Sequence, residues 1–229
     1  MKGTTTMKKY YEAYDLRYRQ VHARGLEWFD REPTAAVKKT MEQYGIGKET
    51  AMLELGCGEG RDASILLESG YDLLATDVSP RAVDFCREKF PQWAERFQVL
   101  DCLTEKLEQR FDFIYAIAVL HMLVLDEDRQ AMLGFIRQHL TDAGVGLIVV
   151  MGDGEMQRAT DADRAFDLQE RCHEQSGQVF EIASTSCCIV TREAFREELL
   201  RAGLAIVELG GTVWADVPAA MYAVVKRGD

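Results

Sequence analysis

The sequence predicts an α/β domain: a seven-stranded, mostly parallel sheet with an antiparallel last strand, helices on both faces and an N-terminal helical cap. Three observations predict it. From Ala51 onward, short and nearly continuous apolar runs alternate with amphipathic segments, the pattern of a parallel sheet covered on both faces. The amphipathic segments carry helix punctuation at their ends. The last two runs are separated only by Leu209–Ala220, which has no helical pattern, so they pair antiparallel at the sheet's edge.

The elements follow in order. Residues 7–30 read as a helix with Tyr11, Tyr14, Tyr18, Val21 and Trp28 on one face. Pro33 suits a first helical position, and the second helix runs to Tyr44 before Gly45 and Gly47. The strand runs are Ala51–Leu55, Tyr71–Asp77, Phe97–Leu100, Phe111–Ile117, Val145–Met151, Leu204–Glu208 and Met221–Lys226. Between them, Arg61–Ser69 ends at Gly70, and Ser79-Pro80 opens Arg81–Phe90. Asp126 can cap Glu127–Leu140, and Thr191 can cap Arg192–Ala202 before Gly203. Gly152–Ser186 is long and polar, with weak helical periodicity around Met156–Cys172. Long connections of this kind tend to be lids or binding loops. The expected organisation is a single domain over 1–229, with a helical cap (1–50), a ligand-binding core (51–151), a lid insertion (152–190) and a C-terminal helix and strand pair (191–229).

Composition bounds the function. The 229 residues carry 27 Lys+Arg against 38 Asp+Glu, a net charge of −11, with 47% apolar and 28% charged residues. This is globular usage, not disorder. Residues 1–50 have a net charge of +3, leaving −14 on 51–229. A body of that sign repels phosphate backbones and argues against nucleic acid as partner. The longest nearly apolar run, Phe113–Leu125, is shorter than the roughly 20 residues a membrane span needs. The segment MKGTTTMKKYY has no apolar stretch behind its lysines, so the reading is a cytoplasmic protein with no membrane partner. The cysteines, Cys57, Cys86, Cys102, Cys172, Cys187 and Cys188, include no CxxC pair. They read as reduced thiols, with no metal site expected.

The most informative stretch is Leu53-Glu54-Leu55-Gly56-Cys57-Gly58-Glu59-Gly60-Arg61-Asp62. It sits where the first strand turns into a helix, the crevice where open α/β sheets bind ligands. Its G-x-G-x-G spacing brings the third glycine one residue earlier than the dinucleotide fingerprint. The next strand ends in Asp77, 21 residues after Gly56, followed by Val78. The third strand is followed by Asp101-Cys102, and the fourth ends at Ile117.

Taken together, these elements resemble the class I S-adenosylmethionine-dependent methyltransferases of the small-molecule type, over roughly Ala51–Met151 and plausibly the last strand pair. The resemblance implies S-adenosylmethionine as cofactor, a small-molecule acceptor, and methyl transfer by in-line displacement. It implies cofactor contacts at Glu54, Gly56, Cys57, Gly58 and Val78, ribose hydroxyls on Asp77, adenine by Asp101 and Cys102, and the methionine end near Ile117. Tyr14 and Tyr18 of the cap are then also candidates.

Displacement at a sulfonium needs alignment and water exclusion more than a fixed catalytic set. The candidate base is His121, just beyond the fourth strand, where a histidine that merely packs locally is the alternative. Tyr11, Asp153 and Trp214 are candidate substrate contacts. Against these stand packing for the tyrosine, ordinary turn chemistry for Gly152-Asp153-Gly154, and a hairpin contact for the tryptophan. Two other functions stay open: a non-catalytic S-adenosylmethionine sensor, and a nicotinamide-dependent oxidoreductase, which the glycine spacing disfavours.

Overall fold

The computed structural model describes residues 9–28, 33–173, 176–214 and 217–228, without the side chains of 214, 217 and 218. A single 3₁₀ turn, Tyr10–Glu12, leads into α1 (Ala13–His22), and α2 is Ala35–Tyr44. The core then alternates β1 (Met52–Leu55), α3 (Arg61–Glu68), β2 (Leu73–Asp77), α4 (Pro80–Lys89), β3 (Phe97–Val99), β4 (Phe111–Ile117), α5 (Asp126–His139) and β5 (Leu140–Met151). The insertion contributes β6 (Arg158–Ala159), β7 (Leu168–Cys172), β8 (Val179–Ala183) and β9 (Cys188–Ile189). The chain closes with α6 (Arg192–Arg201), β10 (Leu204–Trp214) and β11 (Val217–Arg227).

The large sheet has the order β3-β2-β1-β4-β5-β11-β10. Its first five strands are parallel, and β11 runs antiparallel to both β5 and β10. Alternate strand residues face opposite sides, which explains the nearly unbroken apolar runs. Leu53, Leu55, Ile114 and Ile148 pack with Met132, Leu133 and Ile136 of α5 and with Phe195 of α6. Met52, Phe113, Tyr115 and Leu147 pack on the other face, in one core with Val37, Ala63 and Val83 from α2, α3 and α4.

Several boundaries differ from the sequence reading. The first helix stops at His22, followed by a turn in which Gly25 adopts φ +68°, and Trp28 lies beyond it in coil; residues 7, 8, 29 and 30 lie outside the described residues. The second helix is capped at Thr34, so Pro33 precedes it. Ser79 and Thr191 cap as expected, their hydroxyls accepting the N–H groups of Ala82 and Ala194. Asp126 does not cap α5: Leu125 is the N-cap, and Asp126 opens the helix beside Glu127 and Asp128, where carboxylates suit the dipole. The stretch around Met156–Cys172 holds no α-helix, only a 3₁₀ turn at Ala162–Arg164, and β7 pairs with β8 in an antiparallel hairpin. Every residue of β7 is exposed, so burial left no alternation in the sequence to read.

The cap and the insertion are fastened to each other. Arg17 donates from Nε and Nη2 to the Ala183 carbonyl and from Nη2 to that of Ser184. Tyr14 donates to the Ser186 carbonyl at 2.6 Å. Asp15 accepts from the Ser79 hydroxyl and the Arg81 N–H, holding α1 at the N-terminus of α4.

On the opposite face, Arg129 of α5 is 2% exposed and forms a two-pronged pair with Glu198 of α6 at 2.9 and 2.6 Å. Its Nη1 donates to the carbonyls of Leu120 and Leu123, fixing the turn after β4. Glu198→Ala would leave a buried guanidinium without its carboxylate, at a cost of about 3–5 kcal/mol. Urea unfolding measures it, and a loss below about 1 kcal/mol would contradict this role.

Candidate functional site

A cavity of about 360 Å³ opens at the carboxyl ends of β1, β2 and β4. Its floor begins with the glycine loop. The N–H groups of Gly56 and Cys57 both donate to the Thr76 carbonyl, at 2.8 and 2.9 Å. Gly56 has φ +73°, and a Cβ there would stand 2.3 Å from Val119 Cγ2. Gly58 has φ +55°, and a Cβ there would stand 2.8 Å from the Tyr18 hydroxyl. Glycine is needed at both positions for backbone conformation and for close approach. Ala118, which also lines the cavity, holds the left-handed φ of +62°, the kind of backbone strain that gathers at functional sites.

Asp77 is 8% exposed. Its Oδ2 accepts the Gly58 N–H at 2.9 Å and its Oδ1 accepts the Ser79 N–H at 2.8 Å. Burial pushes this carboxyl above its ordinary value even though the N–H groups draw it down. Glu54 is buried, and its Oε2 accepts from the Tyr115 hydroxyl at 3.0 Å. Burial, with the nearby charge of Asp62, pushes its carboxyl up to about 8. At the far end, Asp101 Oδ2 accepts from Lys9, Tyr11 and Thr104. Burial raises the Asp101 carboxyl, but those hydrogen bonds and the Leu103 N–H outweigh it and hold it below its usual range. Burial raises the Cys102 thiol to about 12, so this group packs as a neutral hydrophobe.

The cavity gathers Glu54, Gly56, Cys57, Gly58, Asp77 and Val78 from the first two strand ends. Asp101 and Cys102 join from beyond β3, Ile117 from β4, and Tyr11, Tyr14 and Tyr18 from the cap. Residues 53–145 match the family described as methyltransferase domain. That stretch supplies the floor.

Among solved structures, the domain is similar to the CcbJ methyltransferase of Streptomyces caelestis, with TM-score 0.70, 16% identity, and 97% of this chain and 100% of that one covered. A second likeness is to the 1,6-didemethyltoxoflavin-N1-methyltransferase of Burkholderia thailandensis, with bound 1,6-didemethyltoxoflavin and S-adenosylhomocysteine. There the TM-score is 0.66 and the identity 19%, covering 99% of this chain and 93% of that one. At these identities the likeness establishes the fold. A curated relative, Hemagglutinin 1 of Eikenella corrodens, is 33% identical over 102 residues, 42% of this chain and 33% of that protein. The chain is thus matched to about a third of that relative's length.

Two nominated residues are not brought to the cavity. His121 is buried, and its Nδ1 accepts the Met151 N–H at 3.3 Å. Burial, with the charge of Arg129, lowers it to about 4. The reason is local: Leu120–Met122 wind into a 3₁₀ turn, whose three-residue repeat puts Val119 and Met122 on the cavity side and turns residue 121 away. Asp153 is exposed and accepts the N–H groups of Glu155 and Met156, an Asx turn. Trp214 ends β10, and its side chain lies outside the described residues.

The structure adds residues the sequence reading passed over. Glu59, Arg61 and Asp62 line the floor, and Arg17, Trp28 and Arg171 line the roof. Asp62 accepts from the Thr34 N–H at 2.6 Å, the Thr34 hydroxyl at 2.7 Å and Arg61. Glu59, a charged residue set between two glycines, was the visible signal.

The raised Glu54 carboxyl links stability to pH. Below about 4.5 both folded and unfolded states hold its proton; between about 4.5 and about 8 only the folded state does. Its contribution is therefore lost as pH rises, by at most roughly 1.4 kcal/mol per pH unit. The melting temperature of the wild type should fall across this window relative to Glu54→Gln. Parallel curves would show that Glu54 titrates normally.

Proposed function

We propose that the chain transfers a methyl group from S-adenosylmethionine to a small-molecule acceptor. The observation that carries this reading is the convergence of every nominated cofactor residue on one cavity at the strand ends. The residues fit the cofactor. Glycines at 56 and 58 let the loop pack directly against Val119 and Tyr18 of the cavity wall, and Asp77, which forms no salt bridge among the described residues, suits a donor-rich or cationic ligand. Arg17, with no carboxylate partner among the described residues, suits the cofactor's own carboxylate. When bound, S-adenosylmethionine supplies an electrophilic methyl group on a good leaving group.

The chain's own residues then divide the work. Asp77 keeps lone pairs for the ribose hydroxyls while its other contacts hold the loop. Because the N–H groups of Gly56, Cys57 and Gly58 are occupied internally, the loop meets an ammonium through carbonyl oxygens. Val78, Asp101 and the Cys102 backbone serve the adenine. Tyr11, Tyr14, Tyr18 and the 152–190 insertion act as the roof that excludes water. Tyr11 contributes through Asp101. With His121 turned away, the described lining holds no histidine, and the reading is transfer by alignment onto an acceptor atom that already presents a lone pair.

A cavity of about 360 Å³ and an acidic body favour a small acceptor over nucleic acid. Among the described residues no helix is long and apolar enough to cross a membrane. The unpaired cysteines fit a reducing compartment, and the cytoplasm is the location we infer.

Calorimetry separates this reading from the nicotinamide alternative: S-adenosylhomocysteine should bind and NAD should not, and the reverse would sink the reading. Asp77→Ala should weaken S-adenosylhomocysteine about ten- to 150-fold, and wild-type affinity in a folded variant would misassign Asp77. Hydrogen exchange tests the roof. S-adenosylhomocysteine should protect Tyr11–Tyr18 and the segment around 183–186, and unchanged exchange there would count against a lid.

A further inference from the structure

We propose that Glu59 is a second carboxylate of the cofactor site, whose Oε2 accepts a hydrogen bond from a hydroxyl or ammonium group of the bound cofactor. This rests on the S-adenosylmethionine reading above. Glu59 stands between Gly58 and Gly60 and lines the cavity, with its side chain 4% exposed.

One of its oxygens is held from behind. His22 of α1, also 4% exposed, meets Glu59 Oε1 through Nε2 at 2.8 Å. Arg81 Nε donates to His22 Nδ1 at 2.9 Å. Nδ1 is therefore the acceptor nitrogen, and the ring proton sits on Nε2, donating to Glu59. Phe85 stacks on the imidazole at 4.5 Å and fixes its plane. The chain Arg81–His22–Glu59 thus sets the carboxylate's orientation.

Glu59 Oε2 is buried and has no hydrogen-bond partner among the described residues. An orphaned charged acceptor costs more than a neutral one, and such atoms in native proteins call for an explanation. Here the residue that carries the atom lines the cavity. Gly58, one residue before, gives its N–H to Asp77, which puts Glu59 beside the ribose acid and away from Asp101. The donors within the same region of S-adenosylmethionine are the ribose hydroxyls and the α-ammonium. A contact there would also tie the floor to α1, because the residue behind Glu59 is part of the cap.

The test is calorimetric titration of S-adenosylhomocysteine and of 5′-methylthioadenosine, which lacks the amino-acid portion, into the wild-type chain and Glu59→Gln. In the variant the His22 N–H should hold the amide oxygen and turn the amide NH₂ toward the ligand's donor. S-adenosylhomocysteine should weaken about ten- to 150-fold, while the free variant melts no lower than wild type. Weakening of both ligands supports the proposal with a ribose hydroxyl as donor, and weakening of S-adenosylhomocysteine alone supports it with the ammonium. Unchanged affinity for both overturns it. Should Glu59→Gln fail to fold, His22→Gln takes its place: it keeps the carboxylate but releases its hold, and unchanged affinity there overturns the proposal equally. If the wild type binds neither ligand, the cofactor reading falls and this proposal with it.

Discussion

The Thr76 carbonyl, accepting two N–H groups from the loop after β1, is the contact on which the site depends. Because Leu55 and Thr76 are register partners in neighbouring parallel strands, that carbonyl lies where the chain leaves β1. It draws Gly56 and Cys57 sideways across the end of β2. The next N–H, that of Gly58, then falls on the Asp77 carboxylate, whose other oxygen takes the Ser79 N–H at the start of α4. One acid therefore joins the glycine loop to a helix N-terminus. The local geometry that forms the floor of the cavity also buries a carboxylate in it, and a buried carboxylate favours a cationic or donor-rich ligand.

The roof is attached by the same chemistry. Among the carboxylates that join the cap to the body, Asp101 takes Lys9 and Tyr11, Asp128 takes Tyr10, Glu59 takes His22, and Asp15 of α1 takes donors at the start of α4. Three of these acids belong to the body and one to the cap. Groups that hydrogen-bond across such a seam are rehydrated when it opens, so separation exposes less apolar surface than parting two greasy helix faces. The seam is partly apolar as well: Tyr10, Tyr11 and Ala13 of the cap are buried in the core on the α5 side of the sheet, so opening the roof also exposes part of that core.

The sheet was legible in the sequence because burial on both faces writes itself as unbroken apolar runs. The glycine loop was legible because positive φ and close approach restrict the residue type at Gly56 and Gly58. Asp77 could be placed by counting to the end of the next strand. His121 could not be judged from sequence, because whether a residue after β4 faces the cavity depends on a three-residue turn that its apolar neighbours do not announce. The β7–β8 hairpin was hidden for the opposite reason to the sheet: an exposed ribbon carries no alternation. Arg17 and His22 read as ordinary polar positions on a helix, and only the packing of α1 against the hairpin and α4 shows that both are withdrawn from water.

The central claim is that the acidic cavity at the strand ends is the S-adenosylmethionine site. Its most direct test is a crystal structure of the chain grown with S-adenosylhomocysteine. The account predicts the ribose within hydrogen-bond reach of Asp77, the adenine beside Val78 and Cys102, and the sulfur toward Ile117 and the underside of the tyrosine cap. Ligand density elsewhere on the molecule, or a ribose out of reach of Asp77, would contradict it.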